Sequence, residues 1–339
     1  MSKRAGISVS VCILTAALLT IFAQPVLAWG PITHVKMSTV AGNPYPSYSS
    51  EYLSGSIAPD AGYLIAYKWG EHFHGKNVSQ ALEIARDMLN LAETKKEKAF
   101  ARGWFAHLMQ DRVAHGTGQG FPNDPAFGVG YSNYAAKKYK ISHKRAEFYV
   151  DGRIVYEKGC NGLVTLSIPI NLVTKTMEKV YHNAPDKNSL SHAYFEFALA
   201  YYSEQAFWSS PAGLALYDYI HWKGTVADYD KYVPDIGCNP YKESIYLTNH
   251  PRSVESISKY NTNLKHPSIG DGINPWMLAF AKRLERCGAI KVTKKYQNGW
   301  LTIRLERMNR GLVNRIAMET LMDMVKVGSV PVKVLSVIP

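Results

Sequence analysis

The stretch GWFAHLMQDRVAHG, residues 103–116, has the apolar composition of a buried helix but carries polar side chains at intervals of four residues. Positions four apart on an α-helix drift by only about 40° per step, so His107, Asp111 and His115 lie on one stripe. The flanking Trp104 and its apolar neighbours predict that this stripe is buried. A buried carboxylate beside two imidazoles is unfavourable without a partner, and it is a suitable ligand set for zinc. The stretch therefore indicates a metal site on a core helix.

Further candidate ligands occur in short motifs that contain a histidine or a carboxylate. They are His34 in WGPITH, Asp60 in SIAPDAG, His72 and His74 in EHFHG, and His143 with Glu147 in HKRAE. Each motif also has a purely structural interpretation: a helix cap for His34, a turn-stabilising role for Asp60, exposure for His72, and a surface ion pair for His143 with Glu147. The motifs are concentrated in one part of the chain, and this favours a shared metal centre.

Composition excludes several classes of protein. Of the 339 residues 46% are hydrophobic and only 19% charged, which predicts a packed globule and argues against disorder. The net charge of +12 favours anionic partners, namely phospholipid head groups, nucleic acid or an acidic cell surface. Four cysteines without a C-x-x-C motif exclude a disulfide scaffold and a thiolate zinc knuckle. The chain also lacks a nucleophile elbow, a P-loop and a Rossmann glycine pattern.

The first 28 residues have the organisation of a secretory signal peptide. The basic start MSKR precedes the apolar run at residues 6–23, and VLA ends directly before Trp29. This order is typical of a cleavable leader, so we expect a secreted or periplasmic protein whose mature chain begins at Trp29. The apolar run is also nearly long enough for an uncleaved membrane anchor, which is the alternative.

Secondary-structure signals predict an all-α protein with a small β-hairpin near the C-terminus. Residues 29–225 are expected to form a helical domain, with Ser79 as a helix cap, TKKEK as a turn and a long aromatic core helix from Ser189. Residues 226–339 form a C-terminal extension without an assigned role, irregular to residue 272 and expected to pack on the helical domain. Within it, alternation around Asn298-Gly299 predicts the hairpin.

One segment has two interpretations. HKRAEFYVDGRIVYE could turn at Asp151-Gly152 as a hairpin, or it could form a helix that starts near His143. A helix places His143 and Glu147 on one face as potential ligands, whereas a hairpin does not. We therefore predict the helix.

Taken in order, WGPITH, APD, HFH, HLMQDRVAH and HKRAE resemble the motifs of the zinc-dependent phospholipase C family, which is related in fold to secreted single-strand-specific nucleases. The resemblance covers residues 29 to about 150 in motif and extends in architecture toward residue 225. It implies an all-helical bundle with three zinc ions in a cleft. The implied ligand sets are Trp29 through its free amino group and carbonyl oxygen, with His34 and Asp111; Asp60, His74, His107 and Asp111; and His115, His143 and Glu147.

Several positions depart from the family pattern. Asp111 and His115 are four residues apart, two fewer than in the well-known members, which puts the third ion in question. The five-residue step from Trp29 to His34 resembles the nucleases, whereas Glu147 resembles the phospholipases. His72 is an alternative to His74 as a ligand.

The resemblance implies phosphodiester hydrolysis by a zinc-activated water, with Asp60 assisting the attacking water. A phospholipid is the expected substrate, with peripheral contact to an anionic membrane surface. Nucleic acid as the substrate of a nuclease or nucleotidase of the same fold is the less favoured alternative. A non-catalytic, exported zinc-binding protein on a degenerate scaffold is the other, and the short Asp111 to His115 step keeps it open.

Overall fold

A computed structural model of the chain describes residues 30–76, 78–115, 143–158, 162–222, 275–327 and 332–337. The leader, Trp29 and most of the irregular connection predicted after residue 225 lie outside these ranges. The backbones of His115 and His143 are described, but their side chains are not.

The described residues form a helical protein, as the sequence predicts. The α-helices are α1 (Pro31–Ala41), α2 (Ser49–Gly55), α3 (Tyr67–His74), α4 (Val78–Leu91), α5 (Lys95–His115), α6 (His143–Lys158), α7 (Ile170–Tyr181), α8 (Lys187–Trp208), α9 (Pro211–Trp222), α10 (Pro275–Arg286) and α11 (Arg310–Lys326). Short 3₁₀ helices span Pro46–Tyr48, Ala58–Leu64 and Val332–Val337.

A small antiparallel sheet accompanies the helices. Its strands are β1 (Thr165–Pro169), β2 (Ile290–Gln297) and β3 (Trp300–Met308), in the spatial order β1-β3-β2. The predicted β2–β3 hairpin is confirmed. Its turn residues Asn298 and Gly299 have φ values of 51° and 78°, as a type I′ turn requires.

The sequence interpretation missed strand β1, which lies in the region assigned to helix. This strand pairs with β3, so that Ile168 faces Leu301 across the ladder. It is also attached to α2, because the Ser167 amide donates to Ser54 Oγ at 2.9 Å. Both partners are remote in sequence, and five residues carry too weak a periodicity to identify such a strand.

Two helix starts differ from the predicted ones. The residues TKKEK do not form a separate turn, because α5 already begins at Lys95. Thr94 Oγ1 accepts from the Glu97 amide at 3.1 Å, and Glu97 Oε2 accepts from the Thr94 amide at 3.0 Å. This reciprocal capping box explains why the charged segment is helical. Ser79 is not a cap either, since α4 begins at Val78.

Helix α6 is continuous through Asp151-Gly152, which confirms the helical interpretation of that segment. A Cβ atom on Gly152 would lie 2.7 Å from the ring of Trp208 on α8. The glycine therefore serves close helix packing and not a hairpin turn.

One hydrophobic core contains residues from both ends of the described chain. Ile32 of α1, Trp104 of α5 and Phe207 of α8 share this core with Phe280 of α10 and Ile316 of α11. The aromatic side chains predicted for the long helix α8 are buried here, except for Phe195, which is partly buried against this core. Across the described ranges, none of the helices combines the length and apolar character needed to cross a bilayer.

Candidate metal centre

Four elements bring a set of fully buried polar side chains together between the helices. The set comprises His34 on α1, Asp60 on the 3₁₀ helix Ala58–Leu64, His74 at the end of α3, and His107 and Asp111 on α5. Asp60 was expected in a turn, and it lies instead in a buried 3₁₀ helix. These residues come from three separate sequence motifs in addition to the stretch on α5, and the fold places them in contact.

The two carboxylate oxygens of Asp111 face different histidines. Oδ1 lies 3.0 Å from His34 Nε2, whereas Oδ2 lies 3.3 Å from His107 Nε2 and 3.4 Å from His74 Nε2. Asp111 therefore connects His34 on one side with the pair His74 and His107 on the other. A carboxylate in this arrangement can bridge two cations.

Asp60 completes the second of these groups. Its Oδ1 lies 3.3 Å from His74 Nε2 and 3.6 Å from His107 Nε2. Two overlapping triads occur here, His34/Asp60/His107 and His74/His107/Asp111, and within each triad the ligand atoms lie within 4.8 Å of one another. The centre is therefore compact.

The other ring nitrogens of His74 and His107 face backbone carbonyl oxygens. His74 Nδ1 lies 2.8 Å from the Gly70 oxygen, and His107 Nδ1 lies 3.0 Å from the Ser56 oxygen. A carbonyl oxygen only accepts, so each Nδ1 must carry the proton that it donates. In the neutral imidazole this leaves the lone pair on Nε2, which is directed into the centre.

His34 is held by a side-chain amide. Its Nδ1 lies 2.7 Å from Gln110 Oε1, and Gln110 Nε2 donates to Ser38 Oγ at 3.0 Å. The second hydrogen bond fixes the orientation of the amide, so its oxygen accepts from His34. Outer hydrogen bonds of this kind set the tautomer and the ring orientation of metal-binding histidines.

The centre is rich in acceptors and poor in donors. His74 Nε2 and His107 Nε2 lie only 3.0 Å apart. Within the described ranges, the buried carboxylate oxygens of Asp60 and Asp111 have no hydrogen-bond donor apart from the histidine rings of the centre itself. Buried lone pairs and negative charges of this density repel one another unless a cation lies among them.

The donor set fits zinc. Imidazole nitrogens and carboxylate oxygens are its usual ligands, and bonds of about 2.0–2.1 Å in a tetrahedral arrangement put neighbouring ligand atoms about 3.3 Å apart. The distances from Asp111 Oδ2 and Asp60 Oδ1 to His74 and His107 range from 3.3 to 3.6 Å. The distance between the Nε2 atoms of His74 and His107, 3.0 Å, is slightly shorter.

Charge interactions among the side chains of the centre keep Asp111 ionised. Burial acts to raise the pKa of Asp111, but His107 and His34 outweigh it and hold this pKa well below its ordinary value. Burial also opposes a charge on His34, yet the carboxylate of Asp111 raises the pKa of His34 above its ordinary value. For His107 burial prevails and the pKa is lowered. The centre thus retains an anionic ligand and a neutral imidazole.

A close crossing of α2 and α5 positions the carbonyl that holds His107. A Cβ on Gly103 would lie 1.9 Å from the Tyr52 oxygen, and one on Gly55 would lie 2.1 Å from the Phe100 oxygen. Only glycine allows the two backbones to approach this closely. Ser56 follows directly after this crossing, and its carbonyl oxygen therefore reaches His107.

His72, the alternative to His74, contacts an aromatic cluster instead. Its ring stacks on Tyr181 at a centroid distance of 4.0 Å and meets Trp69 edge-on at 5.3 Å. The expectation that His72 is exposed is wrong, since only 6% of its surface is accessible. Burial, and then the charges of Lys68 and Lys76, lower the pKa of His72 to about 4. Of the two histidines, it is His74 that contacts Asp60 and Asp111.

The third predicted ligand set is described only in part. Glu147 is buried on α6, so its interpretation as a member of a surface ion pair is wrong. His143 is the first residue of the same helix, and His115 is the last residue of α5. Because the side chains of both histidines lie outside the described part, this ligand set remains a prediction, as does Trp29.

The sequence interpretation missed the residues that support the ligands. Gln110 and Ser38 on His34, and the carbonyl oxygens of Gly70 and Ser56 on the other two histidines, were not identified. A glutamine next to Asp111 in an apolar helix is a weak signal. The carbonyl oxygens have no signal in the sequence, because every residue has one.

Comparisons with known proteins agree with this centre. The sequence model of the family described as zinc dependent phospholipase C matches residues 20–237. Two proteins of Archaeoglobus fulgidus, both described as uncharacterized, are similar over most of their length. One is 54% identical, covering 89% of this chain and 90% of the relative; the other is 50% identical, covering 87% and 96%. No solved structure matches.

The family match covers the whole region that supplies the buried histidines and carboxylates, and it extends over more than half of the chain. The helical architecture and the His/Asp centre are those expected for such a protein. The chain belongs to the zinc-dependent phospholipase C family.

Proposed function

We propose that the protein is an exported, zinc-dependent phosphodiester hydrolase that releases phosphorylated head groups from phospholipids in the manner of phospholipase C. One observation carries the proposal. His34, His74 and His107 all have Nδ1 occupied by an acceptor, while their Nε2 atoms converge on the carboxylates of Asp60 and Asp111 in a buried centre. This arrangement is suited to hold metal ions, and the family is zinc-dependent.

The proposed ligands are distributed over up to three zinc ions. They are Trp29, His34 and Asp111; Asp60, His74, His107 and Asp111; and His115, His143 and Glu147. When bound, zinc supplies a water of lowered pKa and neutralises the charge that develops on the phosphoryl oxygens. Trp29 can offer a free amine only after the leader is removed, so we propose that cleavage is part of site assembly.

Asp60 is the proposed residue that assists the attacking water. Its carboxylate is buried: Oδ1 faces His74 and His107, whereas Oδ2 has no donor within the described ranges. It can therefore accept a hydrogen bond from a water and hold the proton that this water releases. Asp111 faces two sets of histidines and is instead the proposed bridge that keeps them at a fixed distance.

Export and membrane contact are proposed from the leader and from the net charge of the chain. The leader at residues 1–28 directs the chain out of the cytoplasm in this proposal. The net charge of +12, of which Lys3 and Arg4 of the leader supply only two, favours peripheral contact with an anionic lipid surface. The substrate is the phosphodiester of a lipid at that surface.

The test is release of water-soluble phosphorylated head group from mixed vesicles of zwitterionic and anionic phospholipids by the chain beginning at Trp29. We expect the wild type to release head group, a chelator to abolish this release, and added zinc to restore it. The Asp60→Asn variant should remain folded but release no head group. If the wild type binds zinc but releases no head group, the phospholipase proposal is wrong. Cleavage of single-stranded DNA by the same sample would then identify a nuclease, and its absence a zinc-binding protein.

A further inference from the structure

A buried carboxylate outside the metal centre lies against the N-terminus of α1. Asp151, on α6, is fully buried. Its Oδ2 accepts from the Ile32 amide at 3.1 Å, and its Oδ1 accepts from the Thr33 amide at 2.9 Å and from Thr33 Oγ1 at 2.5 Å. These partners are 118 and 119 residues away in sequence. The side chain therefore acts as a helix cap supplied by a different helix.

The N-terminus of α1 is built to receive this carboxylate. Its first residue, Pro31, has no amide proton, and Gly30 before it has no side chain that could cap the helix. A Cβ on Gly30 would lie 2.2 Å from Asp151 Oδ2, inside the volume that the carboxylate occupies. Free amides and the helix dipole at this end favour an anion. The carboxylate of Asp151 therefore fills the space that a side chain at position 30 would need.

This contact joins two helices that carry proposed zinc ligands. Thr33 is followed directly by His34, whose Nε2 lies 3.0 Å from Asp111. On the other side, Asp151 lies one helical turn after Glu147 on α6. The position of α1 along and around its axis, and with it the position of His34, is thus fixed from α6.

We propose that Asp151 is a positioning residue for the metal centre, which holds α1 so that His34 and Asp111 can share one ion. The proposal rests on the zinc-dependent function proposed above. Within the described ranges no hydrogen bond or ion pair joins Asp151 to His34 or Asp111, so Asp151 acts on them through the main chain of Ile32 and Thr33 and through its charge, which interacts with His34. Outer residues of this kind commonly change metal affinity by about 10- to 100-fold when replaced.

A second buried acid supports the arrangement. Glu204 on α8 hydrogen-bonds to Asp151, and burial together with the charge of Asp151 raises the pKa of Glu204 well above its ordinary value. The shift favours the protonated form of Glu204, which can donate to the carboxylate of Asp151. The neutral Glu204 leaves the negative charge on Asp151, where the amides of α1 need it.

The experiment is a zinc titration of the metal-free chain beginning at Trp29, wild type and Asp151→Asn, followed by calorimetry and, with Co²⁺ in place of zinc, by visible absorption. A His34→Ala variant identifies which binding step belongs to the ion beside His34. The Asn side chain turns a donor toward one of the two amides, so the contact is weakened. We expect affinity at that step alone to fall about 10- to 100-fold, with a changed Co²⁺ spectrum.

Equal weakening of every step, or no change in any step, overturns the proposal, because a merely structural role would not select one ion. Thr33→Val, which removes only the hydroxyl donor, should show the same selective loss to a smaller extent. This milder variant decides the matter if Asp151→Asn does not fold. A wild type that binds no zinc would instead contradict the proposed function, so the two failures are distinguishable.

Discussion

His74 Nε2 and His107 Nε2 lie 3.0 Å apart, although the Nδ1 atom of each ring faces a backbone carbonyl oxygen. With the protons held on Nδ1, two lone pairs are directed at each other across this distance. Such a contact is repulsive in a buried site unless a proton or a metal ion lies between the nitrogens. The relationship therefore indicates a metal-binding centre more strongly than the number of histidines does.

Asp111→Asn should lower the zinc content by more ions than Asp60→Asn. One oxygen of Asp111 faces His34, and the other faces the pair His74 and His107. The ion-pair contacts of Asp60 in the centre are with His74 and His107, both through Oδ1. An amide nitrogen cannot bind zinc in place of a carboxylate oxygen. Metal analysis after dialysis, with circular dichroism to verify folding, measures the difference. Equal zinc loss in the two variants would contradict the bridging role.

His72→Phe should keep its zinc, whereas His74→Phe should lose an ion and at least about 100-fold in hydrolytic rate. Phenylalanine preserves the stack of residue 72 on Tyr181, whose ring lies at 4.0 Å. His74 instead contacts Asp60 and Asp111. Zinc analysis and the vesicle assay on both variants make the comparison. Loss of zinc from the His72 variant would reverse the assignment.

Gly103→Ala should destabilise the protein by about 2–3 kcal/mol, because the new methyl group overlaps the Tyr52 carbonyl oxygen. The displaced α2 should also move the Ser56 oxygen away from His107 and weaken zinc binding. Gly311→Ala is the control, since its nearest neighbour would be 3.5 Å away. That variant should be unchanged or up to about 1 kcal/mol more stable. Urea unfolding and zinc titration give both results, and a harmless Gly103→Ala would refute the proposed crossing constraint.

Glu204→Gln should become more stable relative to the wild type as the pH rises above about 4.5. Burial, followed by the charge of Asp151, raises the pKa of Glu204, so the folded state holds a proton that the unfolded chain releases. The stabilising contribution of Glu204 is complete at a pH below the pKa that Glu204 has in the unfolded chain. It is lost as the pH rises toward the pKa that Glu204 has in the folded protein. Glutamine does not titrate and still donates to Asp151.

The difference in unfolding free energy between Glu204→Gln and the wild type should grow by at most about 1.4 kcal/mol per pH unit. Urea unfolding followed by tryptophan fluorescence, at intervals from pH 4.5 to 8, measures it. Shared effects of the metal centre cancel in the difference. A difference that does not depend on pH would show that Glu204 is not protonated in the folded protein.

Periodicity within single elements determined much of what could be predicted. The four-residue spacing of His107 and Asp111 placed both on the buried face of α5, and Asn298-Gly299 placed the hairpin turn. These patterns depend on the geometry of one helix or one turn, so they are visible in the local sequence. The resemblance of the ordered motifs added the family, which the comparisons confirm.

Only the tertiary structure decided which groups meet. It brought His74 and not His72 to Asp60, paired β1 with β3, brought Gln110 to His34 across 76 residues, and placed Asp151 on the N-terminus of α1. Such contacts depend on how closely helices approach and on which backbone carbonyl or amide groups remain available. Every residue carries these groups, so the sequence by itself could identify the candidate ligands on each element but not the supporting contacts that orient them.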